Sequence, residues 1–451
     1  MADVTRKAAR CAPRLQRRSL VIASCLAVCV MLWQGLPVTQ VAAQVDYELP
    51  PIDYLNAPVN DAIAQLQTRL TAGEAKLEFS EPGGYLHSLL KTLDIPTSSQ
   101  VLVFSKTSFQ LTKISPRRPR ALYFNDAVYV GTVQNGDVLE IAAMDAEQGT
   151  IFYTLKQQPQ DAPKFDRQTH NCLVCHGSSH TEGVPGVFVR SVYPDRSGHP
   201  VLSAGTFRTD YTSPLRERWG GWYVTGTHGN QRHMGNAILK SGGEPEDLDV
   251  ESGANVTDLR SRLNVSAYAT PHSDIVALMV LEHQVAVHNR LTAANYSARI
   301  TQRDATIMND ALGRDAAIES ESTRRRLDSA AERVVDVLLL VGEEKLTAPV
   351  AGTSSFAAEF AQRGPSDSQG RSLRQLDLQT RLFRYPCSFL IYSDAFDHLP
   401  APLLDRVWQR MWDVLTGANS AEKYQHLSPD DRQNILAILR ETKPNLPASW
   451  R

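Results

Sequence analysis

Cysteine is scarce in this chain once the first 43 residues are set aside. Of its six cysteines, Cys11, Cys25 and Cys29 fall in that stretch, leaving Cys172, Cys175 and Cys387. An odd set of three makes no disulfide framework. No stretch beyond residue 43 approaches about 18 uninterrupted apolar residues, which excludes a later transmembrane helix. Basic charge is short as well. The 451 residues carry 47 Lys and Arg against 49 Asp and Glu. Residues 1–43 hold six of the basic side chains and one acid, Asp3, so the remainder carries 41 against 48, a balance of −7. That acidic remainder argues against a nucleic-acid or anionic-membrane partner. A composition of 42% hydrophobic and 21% charged residues excludes a disordered chain or a polytopic membrane protein, and no internal repeat is visible.

What is present begins with a leader. Basic residues end at Arg18, an apolar run follows from Leu20 to Trp33, and Val41-Ala42-Ala43 offers a small-residue cleavage site before Gln44. Residues 1–43 read as a signal peptide, so the rest is expected in the periplasm or otherwise exported. Membrane association is expected only if the leader stays uncleaved.

Four segments follow. Residues 44–160 form an N-terminal α/β segment. Its apolar spacing predicts a helix over 59–70, capped by Asn60 or Asp61, and an antiparallel meander with strands at 121–124, 127–133, 138–142 and 150–155. Residues 161–240 are rich in Gly, Pro, His and aromatics and have little periodicity; such long loops inside a domain are usually functional. Residues 241–271 read as an acidic linker, with six acids and three glycines between Ser241 and Asp258. Residues 272–451 turn helical, with helices predicted near 273–300, 303–342, 351–363, 401–416 and 429–442. Ser428-Pro429 with Asp431 opens the last of them.

The chemistry sits in Cys172-Leu173-Val174-Cys175-His176, the pattern of covalent c-type haem attachment. On a helical turn, positions i, i+3 and i+4 share one face, so both thiols and the imidazole point the same way. The thiols can then form thioethers with the two haem vinyls while His176 ligates the iron. With six cysteines and twelve histidines in 451 residues, chance placement gives this pattern on the order of 0.002 times. Two other readings compete. A thioredoxin-like redox pair would follow a strand in a βαβ pattern, and none precedes Cys172. A zinc site would need a second ligand pair, and the only other cysteine left is Cys387.

The second axial position has several candidates. Met234 offers a thioether that would raise the reduction potential, while His228 or His233 would give bis-histidine ligation. In 275–287, polar Glu282, His283 and Gln284 interrupt a helix that is apolar on nearly all sides, and buried polar groups need partners. Met279 and His283 share a face, so His283 either approaches the haem or is a core histidine. An open distal position is the remaining case. Arg190, Arg196, Arg208, Trp222 and Tyr223 are candidate donors to the haem propionates. Arg371, Arg374, Arg381 and Arg384 read as a solvated face, and Cys387 as a buried free thiol.

The stretches 101–110, 120–133, 172–183, 206–236, 273–289 and 371–393 resemble a functionally uncharacterised bacterial family, planctomycete-like in flavour, of large single-haem c-type cytochrome domain proteins. The resemblance implies a shared fold and haem binding through Cys172, Cys175 and His176; it implies no reaction.

The expected fold is α+β and mainly α: a small antiparallel β meander, a loop-rich haem c segment and a helical C-terminal half. The expected function is one-electron transfer in the periplasm through one covalent haem c, with a periplasmic or membrane-bound redox partner. A minimal cytochrome domain needs only about 100 residues, so the excess calls for a reason. It serves either partner docking or a haem enzyme with an open distal site, of peroxidase or small-molecule oxidase type. A di-haem peroxidase would need a second attachment motif, which the chain lacks. A haem-based sensor is a third reading.

Overall fold

Between Arg120 and Lys156, β-branched and aromatic residues alternate sides, and here the chain of the computed structural model folds as a meander. Residues 46–450 are described; the leader, its cleavage position and Cys11, Cys25 and Cys29 lie outside them. Two short helices, α1 (Ala62–Thr71) and α2 (Leu86–Thr92), come first. The strands β1 (Val101–Val103), β2 (Arg120–Phe124), β3 (Val128–Thr132), β4 (Val138–Asp145), β5 (Gly149–Lys156) and β6 (Phe165–Arg167) follow. After the one-turn helix α3 (Leu173–His176) come β7 (Val189–Val192), β8 (Thr206–Thr209), β9 (Trp222–Tyr223) and β10 (Gly226–Thr227). The C-terminal half holds α4 (Ile275–Ala311), α5 (Glu321–Leu338), β11 (Ala351–Gly352), α6 (Phe356–Gln362), α7 (Asp394–Asp397), α8 (Ala401–Leu415) and α9 (Pro429–Thr442). The class is α+β, with nine α-helices among the described residues.

The meander is larger than its four predicted strands. It is a seven-stranded antiparallel sheet in the order β6-β5-β4-β3-β2-β1-β9. The added strands are two or three residues long, too short to carry a readable alternation. Two of them, β6 and β9, come from the aperiodic stretch 161–240. Register assigns the faces. Tyr129 pairs with Ala142 and Ala142 with Phe152, so Tyr129 and Phe152 project from the same side. On that side α4 docks: the Tyr129 hydroxyl lies 2.9 Å from His288 Nδ1 and accepts from Gln284 Nε2 at 3.0 Å. On the opposite side the Tyr153 hydroxyl donates to Asp61 at 2.6 Å, and Asp61 caps α1 through the amides of Ile63 and Ala64.

Helix α4 is 37 residues long and buried on nearly every side up to Ala298, as an all-round apolar sequence requires. It passes the expected break near residue 301 because no breaker stands there. The turn comes at Gly313, with φ +60°, and Ser320 caps α5. The capping box at Ser428 and Asp431 opens α9 as the sequence indicates.

Two sequence expectations are corrected. The acidic stretch 241–271 is docked, not a tether: Leu259 and Leu263 are buried, and Arg262 donates to the Asn236 carbonyl at 2.7 Å. The arginine-rich stretch from Arg371 is not a solvated face. Arg374 is buried, paired with Asp126 and stacked over Phe360 and Phe389. Arg381 pairs with Asp431 at 2.7 Å and Arg371 with Asp367 at 2.6 Å. Charge runs reveal no partners when those partners are distant in sequence. Among the described residues, no helix is long and apolar enough to cross a membrane.

Candidate functional site

Helix α3 is a single turn, closed by His176 N–H to the Cys172 carbonyl and Gly177 N–H to that of Leu173, both at 2.9 Å. Leu173 is buried and anchors it. The other side faces out: Val174 is 80% exposed, Cys175 is exposed and Cys172 half-buried. Helical spacing then puts Cys172, Cys175 and His176 on one face.

The imidazole of His176 is held by three contacts. Its Nδ1 lies 2.8 Å from the Gly186 carbonyl, an acceptor only, so Nδ1 carries the proton and the Nε2 lone pair is left available. The rings of Phe152 on β5 and Phe188 flank it, with centroids 5.1 and 5.2 Å away. Burial holds its pKa below the usual histidine range, against the pull of the Gly186 carbonyl. A neutral imidazole whose other N–H is tied to a backbone carbonyl is how proteins orient a metal-ligating histidine.

The loop from Gly177 to Phe188 is itself pinned to α4. Asn289 donates to the Val187 carbonyl at 2.8 Å, and Arg290 pairs with Glu182 at 3.0 Å. Gly186 must be glycine because a Cβ there would run into the Asn289 amide. Asn289→Ala is therefore expected to cost about 1 kcal/mol in urea unfolding.

A charged pair lies close by. Arg120 on β2 crosses over β3 to reach Glu140 on β4 at 2.7 Å, passing over Gly131, where any side chain would strike the guanidinium. Burial, with Glu140 adding to it, pushes the Cys172 thiol up to about 11. Reactive thiols of dithiol redox pairs have a lowered pKa, and the Cys172 thiol is shifted the other way. Among the described residues no three His, Cys, Asp or Glu side chains gather as a metal-binding group. Cys172 and Cys175 therefore lack the second ligand pair of a zinc site.

The candidate distal residues have other neighbours, although His233 Nε2 and His283 Nδ1 are buried without a hydrogen-bond partner among the described residues. His228 donates from Nδ1 to the Gln231 carbonyl at 2.9 Å and accepts from Asn255 N–H on Nε2 at 3.0 Å, so neither nitrogen is spare. The His233 ring lies 4.7 Å from that of His228 and accepts from Gly235 N–H on Nδ1; burial takes its pKa down to about 3. Met234 accepts from the Ser191 hydroxyl through sulfur at 3.6 Å and packs with Ala237, Leu239 and Leu248, apart from the core that holds Leu173 and Cys172. His283 bonds Ser388 Oγ at 2.8 Å among Tyr211 and Phe383, a core histidine. Cys387 is buried. Trp222 and Tyr223 spend their donors on the Arg190 and Pro116 carbonyls. Arg208 reaches the attachment segment, donating to the His180 carbonyl at 3.0 Å.

Sequence reasoning passed over Phe152, Phe188, Gly186, Asn289, Arg120, Glu140 and His180, whose exposed ring stacks on Phe188. Asn289 carried a signal: it is a buried polar residue two turns after Glu282 on a helix buried on nearly every side. The others meet the motif only through the sheet and the loop. Comparison with protein families, with curated proteins and with solved structures finds no match to this chain.

Proposed function

We propose that the chain is an exported c-type cytochrome that carries one haem covalently on Cys172 and Cys175, with His176 as axial ligand, and passes single electrons to a redox partner. The observation that carries this reading is the outward-facing turn of α3: two thiols and an imidazole on one face, with Nδ1 already committed to Gly186. A bound haem c would supply reversible one-electron chemistry at its iron. The protein's own residues do the rest. Gly186 fixes the tautomer, Phe152 and Phe188 fix the ring and shed water from one side, and the exposed edge at Val174 leaves a partner room to approach. The leader would take the chain to the periplasm, where such attachment is made.

The test is direct. Protein from an exporting host that matures c-type cytochromes, run on a denaturing gel, should retain haem stain on the polypeptide. Cys172→Ala with Cys175→Ala should abolish the stain while the chain still folds. Haem that leaves the unaltered protein entirely in acidified organic solvent would refute covalent attachment. A second reading is favoured by the engagement of His228, Met234 and His283 with their own neighbours. It is a haem enzyme with an open distal side. Rapid carbon monoxide binding by the reduced protein supports it; indifference to carbon monoxide supports the carrier.

A further inference from the structure

Away from α3, one open cleft of about 520 Å³ is lined by Arg117, Arg118, Arg196 and Arg262, with Tyr223 and Ile238 as its walls. No carboxylate lines it, and none of the four arginines has an acidic partner among the described residues. That is unusual in a chain whose residues beyond 43 carry an excess of acid. A second recess, with Arg325, Arg326 and Arg333, shows the ordinary outcome: Arg326 pairs with Asp304 at 3.0 Å and Arg325 with Glu321 at 3.5 Å.

The first cleft is also held in shape. Arg117 and Arg118 stand on a turn closed by reciprocal bonds between Ser115 and Arg118, at 3.1 and 2.9 Å. The Tyr223 hydroxyl ties that turn down through the Pro116 carbonyl at 2.7 Å. Arg196 rides a second turn, closed by Asp195 and His199 and filled by Asp195 Oδ1, which accepts from Ser197 and His199. Arg262 is half-buried, with two of its N–H groups on the carbonyls of Asn236 and Ser252 at 2.7 and 2.9 Å. A guanidinium has five N–H donors, so three remain. Four cations around one cavity of ligand size, three carried on closed turns and Arg262 tied down by its own N–H groups, with an aromatic and an aliphatic wall, form a site suited to anionic charge.

We propose that this cleft binds a small oxyanion bearing two or more phosphate or carboxylate groups. Guanidinium groups match both chemistries through paired N–H···O bonds, and four of them exceed what a monovalent ion can use. None of the lining residues lies on α3 or contacts His176; Arg196 and Tyr223, expected from sequence as propionate donors, line this cleft.

Calorimetric titration of the full-length protein with pyrophosphate and with citrate tests it, with acetate at equal ionic strength as control. At least one probe should bind once per chain and saturate; pyrophosphate alone identifies phosphate, citrate alone carboxylate, and both the shared chemistry. Arg118→Ala and Arg196→Ala, both exposed and so tolerable to the fold, should each weaken binding about tenfold or more. The pair Arg325→Ala with Arg326→Ala should leave it unchanged. The proposal is overturned if neither probe exceeds acetate, or if the cleft variants bind as tightly as the parent.

Discussion

Replacing Arg218 by methionine is expected to lower folding stability by about 3–5 kcal/mol, more at pH 8 than at pH 5. The Arg218 guanidinium is buried 3.0 Å from Glu282, whose side chain is wholly buried in α4. It also donates to the carbonyls of Ser213 and Tyr211. Methionine would keep the apolar stem and strand the carboxylate, one oxygen of which already lacks a partner. The pH dependence follows from the direction of the shift. Burial pushes Glu282 up to about 7 from an ordinary 4.5, with Arg218 pulling the other way. The folded state therefore holds this proton more tightly than the unfolded one. The carboxyl's contribution to stability is full below about pH 4.5 and falls away as pH rises toward 7. Without Arg218 the folded value climbs further, so the loss deepens into the alkaline range. Urea unfolding at the two pH values measures this, and an equal loss at both would contradict it. Arg218→Met with Glu282→Met should recover most of the stability, because no charge is left behind.

This pair also shows what could be read from sequence and what could not. Glu282 stood out as a polar residue in an apolar helix, and a need for partners followed. That its partner is Arg218, from an aperiodic loop 64 residues away, follows from nothing local. The same division runs through the fold. The strands from Arg120 to Lys156 announced themselves by β-branched and aromatic runs between turn residues, and α9 by Ser428-Pro429 with Asp431. The short strands β1, β6 and β9 lack the length to show a period. At the site, the spacing of Cys172, Cys175 and His176 was legible because it belongs to one turn. The Gly186 carbonyl, Phe152 and Asn289 were not, since they reach His176 through a loop, a sheet face and a helix distant in sequence. Met234, His228 and His233 drew attention by residue type alone, and the structure gives each of them other neighbours.

His176→Gly is expected to have the largest spectroscopic effect. The imidazole fills the space between Phe152 and Phe188, and Nε2 is its one nitrogen not committed to the protein. Glycine would empty that slot without disturbing the thiols, so haem carried on Cys172 and Cys175 would lose its protein ligand. Visible spectra of both redox states should depart from those of the parent protein. Imidazole added to the medium should enter between the two phenyl rings and restore them. Unchanged spectra in the variant would rule out His176 as the axial ligand.

Helix α4 meets the sheet at Tyr129, the loop behind His176 at Asn289 and the start of β5 at Thr292, whose side chain fills the space over Gly149. These three contacts come from His288, Asn289 and Thr292, within little more than one turn of a single stiff rod. The imidazole's support therefore cannot shift unless the helix and sheet shift with it. A redox centre fixed to such a frame would change charge with little relaxation of its surroundings. The energy of rearrangement that slows electron hopping would be small on this side of the iron.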